Sequence, residues 1–142
     1  MNRPFTYSLI LFISLAAQFS YAQKGALEES LSKINKLLNG IAEVSIKKES
    51  LVVKFTKNNE LYRQDKVLIA DLNSKKVEYV AEENSVVLRC YSDREGCVFR
   101  QLLLKKRRNY YSRLNIIMKG KESAVADLTK EFKKFIDLHQ ES

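Results

Sequence analysis

The stretch Glu43-Val44-Ser45-Ile46-Lys47-Lys48-Glu49-Ser50-Leu51-Val52-Val53-Lys54-Phe55-Thr56-Lys57-Asn58-Asn59 sets the class of this fold. Val44 and Ile46 alternate with polar neighbours, and Leu51, Val53 and Phe55 repeat the alternation beside Lys54 and Thr56. A period of two belongs to an extended strand with one face on a core. Lys57-Asn58-Asn59 then punctuates the chain as a turn. Working outward, strand-like runs recur at Val67–Leu72, Lys76–Val80, Val86–Tyr91, Val98–Leu104 and Tyr110–Met118. Their separators, Asn73-Ser74, Glu83-Asn84, Asp93 to Gly96 and Lys105 to Asn109, are turn-like or strongly polar. About seven short strands between Ile41 and Met118 with brief connections predict an antiparallel meander, since parallel βαβ units need long crossovers.

Two helical patterns flank the strands. Leu27, Leu31, Ile34, Leu37 and Leu38 fall three and four apart, predicting an amphipathic helix over 26–39 that stops at Asn39-Gly40. Glu28 and Glu29 lie in its first turn, where the helix dipole favours acids. A second helix is predicted from about Glu122 to Leu138, with Val125, Leu128, Phe132, Phe135 and Ile136 on one face. Two phenylalanines on one stripe predict a helix seated on a sheet or in a barrel mouth. The fold class is therefore α+β: helix, meander as a bent sheet or open barrel, closing helix.

The first residues have a different character. Arg3 precedes an apolar stretch from Tyr7 to Ala17, and Ser20-Tyr21-Ala22 supplies a small-x-small cleavage site. That order is the secretory pattern, and the apolar core is shorter than the roughly 20 residues of a spanning helix. Residues 1–22 thus read as a signal peptide and 23–142 as one small domain, exported to a periplasm or beyond, with no transmembrane segment in the mature chain. The 142-residue chain has a formal charge of +8, to which the leader contributes a single cation. Such an excess favours anionic partners and also serves plain solubility. With Gly at 4 and Pro at 1, flexible linkers and collagen-like repeats are excluded.

Strands followed by a C-terminal amphipathic helix resemble the pleckstrin-homology-like superfold over roughly Glu43 to His139. The resemblance rests on the order of elements, without a diagnostic motif. It implies a bent sheet plugged at one end by the last helix, with Phe132 in the place where many members carry a Trp; this chain has none. Members take phosphoinositides on a basic loop between the first two strands, near which Lys47-Lys48-Glu49 lies here. An acid in so short a loop limits the implication to fold rather than ligand.

Cys90 and Cys97 are the only cysteines, and in an exported chain an even count reads first as a disulfide. Strand-like runs on either side predict a bridge across the base of a hairpin. A catalytic pair would want Cys-x-x-Cys at a helix start, and zinc would need two further ligands where His139 is the single histidine.

Lys105-Lys106-Arg107-Arg108-Asn109-Tyr110-Tyr111-Ser112-Arg113 is the densest run of charge. Four consecutive cations cannot all point inward, so some must project from a turn. Lys105, Lys106, Arg107, Arg108 and Arg113 could hold phosphate or carboxylate while Tyr110 and Tyr111 stack on rings or headgroups. The plain alternative is a solvated turn whose charges discourage edge-to-edge association, with one tyrosine facing the core. Candidate anions are a polysaccharide, a lipid headgroup or an acidic protein surface; export ranks nucleic acid last.

No catalytic constellation emerges. His139 lies at the end of the closing helix, and the acids Asp65, Asp71, Glu78, Glu82, Glu83, Asp93 and Glu95 are scattered. No glycine cluster cradles a phosphate, and no cofactor is implied. Tyr62-Arg63-Gln64-Asp65, ahead of the third strand, reads equally as part of a recognition surface or as an ordinary polar connection, and no role is assigned to it. The expectation is a non-enzymatic exported binding or interaction domain. Two alternatives are kept: a subunit of an envelope assembly docking through Leu27, Leu31 and Ile34, and a hydrolase whose carboxylates assemble only in space.

Overall fold

The computed structural model describes residues 4–142, with side chains from residue 18 onward. An N-terminal helix, α1 (Pro4–Leu37), leads into eight strands and a C-terminal helix. The strands are β1 (Ala42–Lys47), β2 (Ser50–Lys57), β3 (Glu60–Leu68), β4 (Leu72–Val80), β5 (Ser85–Cys90), β6 (Val98–Leu102), β7 (Arg107–Tyr111) and β8 (Arg113–Ile117). The closing helix is α2 (Val125–Gln140). All pairings are antiparallel, in a five-stranded sheet of order β1-β2-β3-β6-β7 and a three-stranded sheet of order β4-β5-β8. The α+β class is as the periodicity predicts, but the meander is divided between two sheets that do not close into one.

Three details of the sequence reading are corrected. The expected strand Val67–Leu72 is the junction of two: Val67 and Leu68 finish β3, Ile69–Asp71 make a 3-10 turn, and Leu72 opens β4. The supposed polar connection Tyr62–Asp65 is the middle of β3, where Arg63 and Asp65 point inward beside Val67. Inward charges erase the apolar alternation on which a strand is recognised. Lastly, Tyr110–Met118 is two strands, because at Ser112 the chain leaves the larger sheet for the smaller and its carbonyl accepts from the Cys90 N–H at 3.2 Å.

The core lies on the inner faces of both sheets and is closed by α2. Leu128, Phe132, Phe135 and Ile136 have no exposed surface and pack with Leu51, Val53, Leu72, Leu88, Leu114 and Ile116. Gln140 ties the end of α2 to the β3–β4 corner by donating to the carbonyls of Ile69 (3.0 Å) and Leu72 (2.7 Å). Turns sit where the sequence tolerates a left-handed backbone, as at Asn58 (φ 52°) and Asn59 (φ 63°) between β2 and β3.

In α1, Ile34 is fully buried, as is Leu38 just past its end, and Leu27 and Leu31 are half-buried against the core. Asn35 exchanges two 2.8 Å hydrogen bonds with the backbone of Val44, standing in for a further strand at the edge formed by β1. Gln23 donates to the Leu138 carbonyl (2.8 Å) and Ser30 to Glu131 (2.7 Å), joining α1 to α2. The signal assigned to residues 1–22 lies outside the described side chains as far as residue 17. Residues 18–22 are exposed throughout, and contact with the body begins at Gln23. Among the described residues no helix is long and apolar enough to cross a membrane.

Candidate functional site

The two sheets meet at a cluster of charge. Asp65 on β3 is fully buried between Arg63, two residues earlier, and Arg100 on the neighbouring β6. Arg100 donates from Nε to Asp65 Oδ1 at 2.9 Å and from Nη2 to Oδ2 at 3.0 Å. Arg63 grips the same carboxylate through Nε at 3.0 Å and also through Nη2. Asn115, on the edge strand β8 of the other sheet, completes the group. Its side-chain oxygen accepts from Arg63 (3.0 Å) and Arg100 (3.1 Å), and its carbonyl accepts from Arg63 (3.1 Å). The guanidinium of Arg63 lies 4.4 Å over the Phe55 ring and that of Arg100 4.3 Å over Tyr111. Planar, weakly hydrated guanidinium groups suit such stacked and forked contacts. Two cations share one anion, so the cluster keeps a surplus positive charge.

That charge extends outward along the sheet. Residues opposite one another in a ladder share a face. Arg63, Leu102 and Arg107 form one inner-face row across β3, β6 and β7; Asp65, Arg100 and Asn109 form the next. At β7, the outer strand of its sheet, this face opens to solvent, and Arg107 and Asn109 are exposed.

Beyond it the β6–β7 hairpin projects. Residues 103–110 form an unbroken exposed run, including all four cations of Lys105–Arg108. The turn is fastened at its root by the Leu103 N–H, which donates to the Tyr62 carbonyl at 3.0 Å, and it reverses through Lys106 at φ 48°. A depression of about 280 Å³ lies here, lined by Gln101, Leu102, Leu103, Lys106, Arg107 and Arg108. Leu104 and Tyr110 are each 70% exposed and Leu103 40%. Tyr110 packs on the outer face against Phe99, ring centroids 5.1 Å apart.

The structure therefore carries Lys105, Lys106, Arg107, Arg108 and Tyr110 on one exposed hairpin, with Arg107 on its inner face and Arg108 and Tyr110 on its outer face, and separates the other two candidates. Tyr111 turns inward under Arg100, as alternation requires of one tyrosine in a pair. Arg113 belongs to β8, in the other sheet, and is paired with Glu83 at 2.9 Å. Arg63, Asp65, Arg100 and Asn115 were not recognisable as a group, since they come from three strands and two sheets. An inward-facing Arg-x-Asp was the available signal, and it looked like a loop.

Cys90 and Cys97 are disulfide-bonded, with Cα atoms 6.3 Å apart. The expected hairpin beneath them is absent: β5 belongs to the smaller sheet and β6 to the larger, so the bridge spans the corner where the chain changes sheets. The Arg94–Asp71 pair (3.6 Å) and the Tyr91 N–H, donating to the Asp71 carbonyl at 3.0 Å, hold that corner further.

Some of the remaining acids are engaged, whereas Glu82, Asp93 and Glu95 are exposed and make no ion pair among the described residues. Glu78 pairs with Arg89 at 3.0 Å and Glu83 with Arg113. The Glu122 carboxyl is held below the usual carboxylate range by backbone N–H groups, its own and that of Gly120, and by the Asn84 amide. A depression of about 350 Å³ between the helices contains Asp127 and Glu131 beside Lys33, Lys36 and Lys130, but Glu131 is taken up by Ser30 and Lys134. Among the described residues no three of His, Cys, Asp and Glu converge to hold a metal ion. Comparison of the chain with protein-family models, with curated proteins and with solved structures returned no match.

Proposed function

We propose that the protein is an exported, non-enzymatic binding domain that recognises an anionic partner through the β6–β7 hairpin. The observation that carries this is the unbroken exposed run 103–110, in which Lys105, Lys106, Arg107 and Arg108 stand together without an acid among them. Arg89, Arg113 and Lys33 have carboxylate partners within 3.0 Å, and exposed lysines without one, such as Lys47-Lys48 and Lys75-Lys76, come in twos rather than fours. The hairpin cations have no such partner among the described residues, so an anion meeting them displaces water alone. The buried surplus of Arg63 and Arg100 adds positive potential behind them.

Export is supported by the leader pattern, by the disulfide and by the exposure of residues 18–22 around the cleavage site. A pleckstrin-homology-like frame is supported by strands in two sheets ending in a helix whose Phe132 is fully buried. Docking through α1 has less support, because Leu27, Leu31, Ile34 and Leu38 already face this chain's own core.

The test is retention on an anionic matrix. Replacing Lys105, Lys106, Arg107 and Arg108 together by Gln should move elution from a sulfated-polysaccharide column to near the void at about 0.15 M salt, where exposed charges still act over roughly 8 Å. An unchanged circular dichroism spectrum would establish that the variant is folded. Elution identical to that of the parent protein would refute the site.

A further inference from the structure

The hairpin carries more than charge. Leu103 and Leu104 stand next to Lys105 in sequence and are 40% and 70% exposed, and Tyr110 is 70% exposed on the returning strand. A solvated turn gains nothing from two adjacent leucines, and polar anions offer them no counterpart. An anionic saccharide would be met by planar side chains and flat rings. The combination of aliphatic tip, flanking cations and a tyrosine matches instead a surface whose polarity changes with depth: phosphate outermost, hydrocarbon beneath. Tyrosine favours the boundary between those layers, and Lys and Arg are drawn to an anionic leaflet.

We infer that the β6–β7 hairpin docks on an anionic phospholipid bilayer, with Leu103 and Leu104 entering the headgroup–acyl boundary while Lys105–Arg108 pair with lipid phosphates. This rests on the anion-recognition reading of the same hairpin and deepens it. Contact is peripheral, since among the described residues no helix is able to span. The depression lined by Gln101, Leu102, Leu103, Lys106, Arg107 and Arg108 combines three cations with two leucines, which suits a single headgroup with the start of its chain. The turn between β1 and β2 lacks this combination, because it has only two lysines, followed directly by Glu49, and no tyrosine.

The experiment is vesicle co-sedimentation of the disulfide-bonded protein, using phosphatidylglycerol–phosphatidylcholine vesicles, pure phosphatidylcholine vesicles and soluble glycerol phosphate. Two variants are compared: the four-Gln hairpin and Leu103→Ser/Leu104→Ser, whose changes lie on exposed positions and spare the core. The parent protein should sediment with the anionic vesicles at least tenfold more tightly than with the zwitterionic ones, and millimolar glycerol phosphate should not compete. The leucine variant should lose about tenfold in vesicle affinity yet elute from the sulfated-polysaccharide column as the parent does. Undiminished vesicle binding by the leucine variant, or competition by glycerol phosphate, would overturn the bilayer assignment and leave anion recognition standing. If the parent protein elutes from the column in the void and sediments with neither vesicle, the anion reading itself falls. Retention on the column without vesicle binding would point to a polyanion or an acidic protein and overturn the bilayer alone.

Discussion

Asp65 has no exposed surface and two guanidinium groups on its carboxylate, so its removal would strand two cations in a seam with little water. Breaking a buried ion pair by deleting one partner costs about 3–5 kcal/mol, whereas replacing the whole set by apolar side chains is often neutral. Asp65→Ala should therefore lower the urea-unfolding free energy by roughly that amount, and Arg63→Met/Asp65→Leu/Arg100→Met should recover most of it. A loss below about 1 kcal/mol for Asp65→Ala would mean that the arginines are solvated in the native state. This cluster also marks where residue-by-residue legibility ended. Core positions such as Leu51, Val53, Phe132 and Phe135 were readable because an apolar side chain at the right period has one sensible place to go. Arg63 and Asp65 occupy equally inward positions, but their burial depends on partners contributed by β6 and β8, and no local window contains those partners.

At the scale of elements, the corner between β5 and β6 decides how the sheets are joined. Closing eight residues by the Cys90–Cys97 bridge restricts the unfolded chain, and the loop-entropy relation gives about 2.5 kcal/mol. Cys90→Ala/Cys97→Ala should lower stability by about 2–3 kcal/mol in urea unfolding, without changing the secondary structure seen by circular dichroism. A reductant should bring the parent protein to the variant's level; if it does not, the bridge is inert. That the two cysteines pair was legible from count, spacing and leader. That they join different sheets was not, because two strands separated by a turn look the same in sequence whether or not they hydrogen-bond to each other. The same ambiguity hid the break at Ser112, where a polar residue inside a strand-like run is the sole mark of a change of sheet.

Across the whole molecule, α1 changes character at Gln23. Ahead of it, residues 18–22 are exposed; from Gln23 onward, the helix covers the core and holds α2. A chain beginning at Gln23 should therefore unfold at the same urea midpoint as the full-length protein, whereas loss of Ile34 by Ile34→Ala should cost about 2–5 kcal/mol. A lower midpoint for the chain beginning at Gln23 would show that residues 1–22 belong to the folded unit. The α+β class and the two flanking helices were legible at this scale because periodicity reports burial directly. The hairpin cations were legible too, although their isolation from Arg113 and from the inward Tyr111 needed the pairing of strands.

The single residue between β7 and β8 has a mechanical consequence. Ser112 is anchored by the Cys90 N–H, and Tyr111 just before it is clamped under Arg100, so the basic arm is rooted directly in the seam between the sheets. The base of the arm is thus fixed by folding, and engagement has to order the exposed side chains of residues 103–110 rather than the strands that carry them. A force pulling on that tip would pass through Ser112 into β8, the strand whose Asn115 carbonyl accepts from Arg63.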